Sequence, residues 1–417
     1  MKKVLFISFD LIRSGEIEKP YAVASILVYL KQDKKLYGKF EFDHISFNML
    51  TKKYEDYNNI FAHDLALLKV ENYQFIALSA YVWNEFLIND FIKELRLQGF
   101  KGSVILGGYQ ITYSNNELLP QQYPDAQVFV SGYAEQALSD YFVAESTNKT
   151  PLFINSPVDF TQMPSAYLSN EVHIPSGTSM LRMETSRGCP YKCSFCAHRD
   201  LTQNRVFRHY LDKVFQEIAL FTDKNVGRVN ILDPVFNAGR NSIEIMKELN
   251  KTNISTTYTL QSRFENIKGE YGYEFLDLCG DGIYHLEFGL QTAIEAESVI
   301  INRKNNIKLI DEAMKGLAER GISYEVSLIY GLPGQTVDSF KRSIEFVANR
   351  GCKLIKAYPL MLLRGTELFN EKEKWAMQEE ITGDFSIPVV TASSSFTRND
   401  WETMSEIAGG LMANQRF

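Results

Sequence analysis

Apolar residues in the first 145 positions gather in short runs at Val4–Phe9, Phe42–Phe47, Phe75–Ser79, Val104–Gly107 and Val128–Ser131. Between them, and after the last, Ala22–Lys35, Ile60–Val70, Glu85–Leu97 and Glu135–Ala144 repeat apolar residues every three to four positions, as one face of a helix requires. Largely apolar strands suit a sheet covered on both faces, and alternation with helices implies parallel crossovers. Residues 1–145 therefore predict a five-stranded, doubly wound, Rossmann-like α/β domain. Such a domain takes ligands outside the carboxyl ends of its strands.

Residues 146–179 scatter Pro151, Pro157, Pro164 and Pro175 among Ser and Asn and read as an extended linker. A second series begins at Met180, with strands predicted at Met180–Thr185, Val229–Asp233, Thr257–Gln261, Tyr284–Phe288, Tyr324–Tyr330 and Leu354–Leu360. Helical spacing separates them, as over Leu211–Thr222, Ser242–Asn250, Lys308–Arg320 and Thr336–Arg350. Six strand–helix units fall short of the eight of a closed barrel, so residues 180–368 predict an open, partial (β/α)6 TIM barrel. Residues 369–417 form a C-terminal extension that starts with the charged stretch Glu371–Glu380. It is expected to end in a helix at Trp401–Met412 packed on the core.

A chain of 417 residues exceeds one ordinary core, in keeping with two domains. Hydrophobic residues at 45% and charged residues at 23% are those of a globular protein. The net charge of −7 argues against a surface built to grip nucleic acid. The apolar run after Met1 is too short for a signal peptide, and no stretch approaches the roughly 20 apolar residues of a membrane span. A cytoplasmic location, without nucleic-acid or membrane partners, is expected.

Three of the five cysteines crowd into Glu184-Thr-Ser-Arg-Gly-Cys189-Pro-Tyr-Lys-Cys193-Ser-Phe-Cys196, directly after the first predicted barrel strand. In a reducing compartment such clustering reads as metal binding. Three thiolates can each hold one iron of a 4Fe-4S cube and leave the fourth iron open. An open iron can chelate the amino and carboxylate groups of S-adenosylmethionine (SAM) next to the electron donor. His198 leaves a closed Cys3His zinc site as an alternative by ligand count, and thiols without metal as a second. Cys279 and Cys352 lack close partners and read as small buried hydrophobes.

The C-x3-C-x-aromatic-C loop, with Phe195 at the aromatic position, resembles the radical SAM superfamily. The resemblance implies that Phe195 lies by the adenine. Leu286-Glu-Phe-Gly-Leu-Gln-Thr292 resembles the fourth-strand segment, which makes Glu287 and Gln291 candidates for the amino and ribose groups. Ser327-Leu-Ile-Tyr-Gly331-Leu-Pro-Gly334 resembles the fifth-strand segment, with Ile329 and Gly331 bordering adenine. Arg263, at the third-strand position, is a candidate partner of the methionyl carboxylate.

In the first domain, Leu106-Gly107-Gly108-Tyr109-Gln110 and Ser131-Gly132-Tyr-Ala-Glu135 resemble the turns of a cobalamin-binding domain that precedes the radical domain in one large subfamily. Ser79-Ala-Tyr81-Val-Trp83-Asn84 is similar too, which implies Tyr81 and Trp83 beneath the corrin. The flat rings and glycine turns suit a planar macrocycle. Gln110 stands where His is frequent, and the turn Gly132-Tyr-Ala-Glu135 departs from the family's Gly-Glu-Gly-Glu pattern. A domain that merely packs without cobalamin is the alternative.

The combined expectation is a cobalamin-dependent radical SAM enzyme that methylates an unactivated carbon of a small molecule or peptide side chain. Its reductant would be a protein such as flavodoxin or ferredoxin. Alternatives are rearrangement, cyclisation or dehydrogenation without methyl transfer, and a non-catalytic iron–sulfur redox sensor. Asp233, Asn237, Tyr258, Tyr330, Tyr358 and Arg364 are polar groups near the barrel-strand ends that can line a substrate pocket or serve structure.

Overall fold

The computed structural model describes residues 1–50, 57–144, 151–198, 205–252, 255–382 and 387–413. The chain divides into two compact units, one over Met1–Pro175 and one over Ser176–Thr382 and from Pro388 onward. Among the described residues no helix is long and apolar enough to cross a membrane.

The first unit runs β1 (Lys2–Asp10), α1 (Tyr21–Gln32), β2 (Phe40–Asn48), α2 (Tyr57–Leu68), β3 (Phe75–Ser79), α3 (Glu85–Leu97) and β4 (Ser103–Gly107). The short helices α4 (Tyr109–Thr112) and α5 (Leu119–Gln122) follow, then β5 (Val128–Val130), α6 (Ala134–Ala144) and β6 (Leu152–Ile154). The sheet is parallel, in the order β2-β1-β3-β4-β5-β6. Successive strand residues bury opposite faces, so two cores form. Phe9 stacks on Phe47 with centroids 5.5 Å apart and meets Phe91 edge-on at 5.0 Å. On the other face Phe40, Phe42 and Phe142 gather beneath α1 and α6. Burying each such ring is worth roughly 1.5–3 kcal/mol.

β6 adds a sixth strand, where the proline-rich segment predicted only an extended connection. Its three residues pair with Val128–Val130 at the edge of the sheet, and a run that short carries no readable period.

The second unit opens with β7 (Met180–Met183) and a small antiparallel pair, β8 (Ser186–Arg187) with β9 (Phe207–Arg208). The barrel continues through α7 (Leu211–Asp223), β10 (Arg228–Ile231), α8 (Asn241–Thr252), β11 (Thr257–Ser262), α9 (Gly269–Asp281) and β12 (Tyr284–Gln291). After β12 come α10 (Glu295–Ile300), α11 (Ile307–Glu319), β13 (Tyr324–Tyr330), α12 (Val337–Ala348) and β14 (Leu354–Pro359). The six barrel strands are parallel and lie in chain order, β7-β10-β11-β12-β13-β14, as an open partial barrel. Helix starts are written into the sequence. Asn306 accepts the Leu309 amide at 3.2 Å, and Thr336 with Ser339 forms a reciprocal cap for α12.

The extension contributes α13 (Glu367–Asn370), a hairpin of β15 (Gln378–Thr382) with β16 (Ile387–Ala392), and α14 (Arg398–Ala413). The α14 helix packs on the barrel as expected, with Trp401 5.8 Å from the Tyr330 ring. Charged residues in β15 hide the hairpin from a reading by periodicity.

Candidate functional site

The cysteine loop is held at its entrance by buried carboxylates. Asp233, two residues past the end of β10, accepts the Thr185 amide at 2.7 Å, the Thr185 hydroxyl at 2.5 Å and the Ser186 hydroxyl at 2.7 Å. Burial raises its pKa while these donors oppose the shift. Asp233 thus anchors the loop rather than lining a pocket. Glu184 takes a two-pronged ion pair from Arg187 at 2.7 and 2.9 Å and a contact from His209 at 3.2 Å. Burial pushes this carboxyl up, but Arg187 and His209 outweigh it and hold it at about 2. Gly188 follows with φ +91°, and a Cβ there would run into the Arg205 carbonyl. The chain can turn out of β8 into the loop only because this residue is glycine.

Two further segments grip the loop. The Ser194 amide donates to the Ile301 carbonyl at 2.9 Å, and Asn302 donates to the Lys192 carbonyl at 2.9 Å. The Ser194 carbonyl accepts the Leu368 amide of α13 at 2.8 Å. Phe195 is half-buried between Ser194 and Cys196.

All three thiols are free. Cys189 and Cys193 are buried, and Cys196 is partly exposed. Burial raises Cys189 and takes Cys196 to about 11, and negative charge on neighbouring thiols pushes both the same way. Three thiolates here need a cation, and metal coordination deprotonates them outright. Arg303 provides one fixed charge. It is buried, its Nη1 lies 3.8 Å from the Cys193 sulfur, Nη2 donates to the Gly289 carbonyl, and Nε has no partner.

A single zinc, about 2.3 Å from each sulfur, would draw the thiols to about 3.8 Å from one another. Among the described residues, one set of three His, Cys, Asp or Glu donors closes to within 4.8 Å, and it is His285, Glu287 and Glu325. The cysteine loop with His198 is not such a set. Three thiolates on one loop suit three corners of an iron–sulfur cube.

A profile of the radical SAM superfamily matches residues 183–347, from the last residue of β7 into α12. The second unit carries a radical SAM domain. A 4Fe-4S cluster and SAM are the cofactors this family implies. Over 265 residues the chain is 22% identical to an uncharacterised methyltransferase of Pyrococcus horikoshii, spanning 58% of this chain and 57% of that one. Over 179 residues it is 26% identical to the anaerobic magnesium-protoporphyrin IX monomethyl ester cyclase of Rubrivivax gelatinosus, covering 41% of this chain and 31% of the relative. The chain thus spans little more than half of the first relative and under a third of the second.

Among solved structures, the radical SAM methyltransferase TsrM from Kitasatospora setae, with tryptophan and a SAM analogue bound, superposes with a TM-score of 0.73. The match has 14% identity and covers 99% of this chain and 89% of that one. The cobalamin-dependent radical SAM enzyme OxsB gives a TM-score of 0.70 at 12% identity, covering 99% and 67%. At such identity the likeness shows the fold: a parallel α/β unit followed by an open partial barrel.

In the radical SAM domain the β12 side chains alternate, with His285, Glu287, Gly289 and Gln291 sharing the less buried face. Glu287 stands 3.5 Å from the His285 Nε2, which also lies 3.3 Å from Glu325. Lys356 reaches Glu325 at 2.6 Å. Hydrogen bonds donated to Glu287 and Glu325 raise His285 to about 9, so His285 and Lys356 balance the charge of the two carboxylates. Gln291 ends the strand at φ +70°, beyond a bulge at Gly289.

Arg263 is buried, stacks 3.8 Å over the Tyr191 ring and pairs with Glu265 at 3.2 Å. Asn237 holds the Arg263 backbone from both sides, at 3.0 and 2.9 Å. The Ile329 carbonyl and the Gly331 amide both bond to Gln335, at 3.1 and 2.7 Å. A Cβ on Gly331 would stand 3.0 Å from the Val390 carbonyl, so the extension packs against this turn. Of the pocket candidates, Tyr258 is wholly buried, Tyr330 packs on Phe340 and Trp401, and Tyr358 remains exposed. Arg303 and Ser194 escaped sequence reasoning. The helical pattern around α10 and α11 gave no signal that the turn between them meets the cysteine loop.

The first unit brings its three candidate loops to the carboxyl ends of adjacent strands β3, β4 and β5. The Ala80 amide donates to the Gly107 carbonyl at 2.8 Å, the Gln110 amide to the Ala80 carbonyl at 3.0 Å, and the Gly132 amide to the Thr112 hydroxyl at 3.1 Å. Gly108 has φ +92°, and a Cβ there would stand 2.8 Å from the Ala80 carbonyl oxygen. Tyr81 and Trp83 lie parallel with centroids 4.5 Å apart, and the Trp83 indole donates to the Phe9 carbonyl at 3.3 Å. Tyr109 packs near Tyr113 at 4.3 Å. Two candidates turn inward. Gln110 donates to Glu85 at 2.5 Å and leaves its buried Oε1 without a partner, and Glu135 accepts from Ser25 of α1 at 3.4 Å.

Proposed function

We propose that the chain is a cobalamin-dependent radical SAM enzyme that methylates an unactivated carbon of a small molecule or peptide side chain. The observation that carries this reading is the cysteine loop, with three free thiols on one turn and the buried Arg303 guanidinium 3.8 Å from the Cys193 sulfur. When bound, the cluster with SAM supplies an electron and a 5′-deoxyadenosyl radical, and the corrinoid supplies a methyl group.

The chain's own residues place and shield these groups. Cys189, Cys193 and Cys196 would hold the cluster through three of its irons, and the remaining iron would be available to the amino and carboxylate groups of SAM. Arg303, whose charge is already desolvated and whose Nε is unpartnered, fits the methionyl carboxylate. Arg263 is engaged by Glu265 and acts with it to orient Tyr191 at the loop. Glu287 and Gln291 suit the amino and ribose groups, and Phe195, Ile329 and Gly331 suit the adenine.

In the first unit the parallel Tyr81–Trp83 pair offers a flat floor, and Gly107, Gly108, Tyr109, Ser131 and Gly132 give close backbone approach at the same sheet edge. Gln110 and Glu135 shape those turns from inside. None of the six histidines lies in these loops, so no imidazole from them would reach a corrin's lower face. The fold shared with TsrM and OxsB supports the reading.

The test is anaerobic reconstitution with SAM, cobalamin and a chemical reductant, followed by product analysis. S-adenosylhomocysteine together with 5′-deoxyadenosine is expected. 5′-Deoxyadenosine alone would leave a radical enzyme without methyl transfer, and neither product would overturn the assignment.

A further inference from the structure

We infer that an open groove beside the cysteine loop is the docking surface for an acidic one-electron carrier protein of the flavodoxin or ferredoxin class. The inference rests on the radical SAM reading, since a cluster that drives reductive cleavage must be refilled with electrons. The groove measures about 650 Å³ and lies within the second unit. Pro190 and Tyr191, the two residues after Cys189, line it together with Val206, neutral residues of the 237–239 and 266–271 segments, and four cations, Arg205, Arg208, Arg240 and Lys268. Among the described residues no carboxylate lines it, and none of these four cations has an ion-pair partner. All four are exposed, on a chain whose net charge is −7.

Charge pattern and position agree. A cationic patch on an acidic protein attracts an acidic partner at one place and repels it elsewhere, which orients the encounter. Electron transfer falls steeply with distance, so the carrier must sit on the face nearest the cluster ligands. Pro190 and Tyr191 directly follow Cys189 in the chain, so the groove adjoins a cluster ligand. Glu287, Gln291 and Ile329, the groups suited to SAM, do not line it, which separates the groove from the adenosyl pocket. One electron leaves the reduced carrier and enters the cluster, so the carrier is oxidised and the cluster reduced by one electron each, with no bond made or broken at the surface.

The test compares the reconstituted holoenzyme with a triple variant, Arg205→Glu, Arg240→Glu and Lys268→Glu, and with the charge-keeping Arg205→Lys, Arg240→Lys pair. Arg208 is left in place because it donates to the Ala238 carbonyl at 2.8 Å. Two readouts are taken: binding of oxidised flavodoxin by titration at low and high salt, and 5′-deoxyadenosine formation driven by reduced flavodoxin or by dithionite. The triple variant is expected to bind flavodoxin at least about tenfold more weakly at low salt and to lose flavodoxin-driven turnover. Its iron content and dithionite-driven turnover should stay at the wild-type level, and the lysine pair should behave as wild type. Unchanged flavodoxin affinity would overturn the docking assignment. So would equal loss of turnover with both reductants, which would make the groove part of a small-anion or substrate site. A wild-type protein that makes no 5′-deoxyadenosine with dithionite would instead strike the radical SAM reading, while the binding titration would still decide the surface.

Discussion

Replacing Arg303 by Met keeps most of the volume and hydrophobic stem of a buried side chain while removing its charge and its fork. Two separable losses follow from the geometry. The partly buried Gly289 carbonyl loses its Nη2 donor, which costs up to roughly 1 kcal/mol of local stability. The second loss concerns SAM. A hydrogen-bonded pair with a charged partner is worth roughly 1.5–3 kcal/mol, and about 1.4 kcal/mol is one factor of ten. SAM affinity in the reconstituted variant should therefore fall on the order of 10- to 100-fold, with three cysteines still available and iron content near normal. Arg303→Lys keeps the charge but not the planar fork, and should recover only part of the affinity. Equilibrium titration of SAM, followed through the change it produces in the reduced cluster's electron paramagnetic resonance signal, measures this without turnover. Affinity within about twofold of wild type in Arg303→Met, with full iron loading, would refute the role given to this guanidinium.

Gly188→Ala should yield an iron-poor protein, because the added methyl cannot coexist with the Arg205 carbonyl at φ +91°; normal iron per chain after anaerobic reconstitution would contradict this. Trp83→Ala should weaken or alter corrinoid binding with the cluster intact, and an unchanged cobalt content and visible spectrum would count against the aromatic floor. His285 should stabilise the barrel in a pH-dependent way. Its folded pKa of about 9 exceeds the ordinary 6.5, so its contribution is complete below about pH 6.5 and is lost as pH rises through 9. The gap in urea midpoint between wild type and His285→Gln should close between pH 7 and 10, and a gap that widens instead would reverse the assigned charge.

The parallel α/β order of both units was legible because each barrel strand and most helices carry one unbroken period. Predicted and observed strands of the second unit coincide within a few residues, and Tyr324–Tyr330 coincides at both ends. The cysteine spacing was equally local. Arg303 was not legible, since a guanidinium between two helices looks like any surface charge until the turn folds under the loop. Gln110 and Glu135 share the reverse problem. Their positions beside glycine turns suggest ligand contact, and the folded chain adds burial and bonds to Glu85 and Ser25 that the sequence does not announce. A sequence reveals that a polar residue lies near a strand end, but not to which side it turns.

The grip on Ser194 ties the cluster loop to chain that lies far away in sequence. Its amide is fixed by Ile301 and its carbonyl by Leu368, 107 and 174 residues later (301 − 194, 368 − 194). Leu368 is wholly buried, so the second bond is shielded from water and cannot exchange cheaply for a solvent one. The same extension covers the turn at Gly331 through Val390, Phe396 and Trp401, with Trp401 buried against Tyr330. Both ends of the SAM pocket proposed here, the cysteine loop and the fifth-strand turn, thus lean on residues after 365. An open six-stranded barrel leaves β14 as an unpaired edge, and the Val390 amide reaches the Leu360 carbonyl at 2.9 Å just beyond it. The extension therefore serves as the missing wall of the barrel, and its packing is part of what keeps the cluster ligands in place.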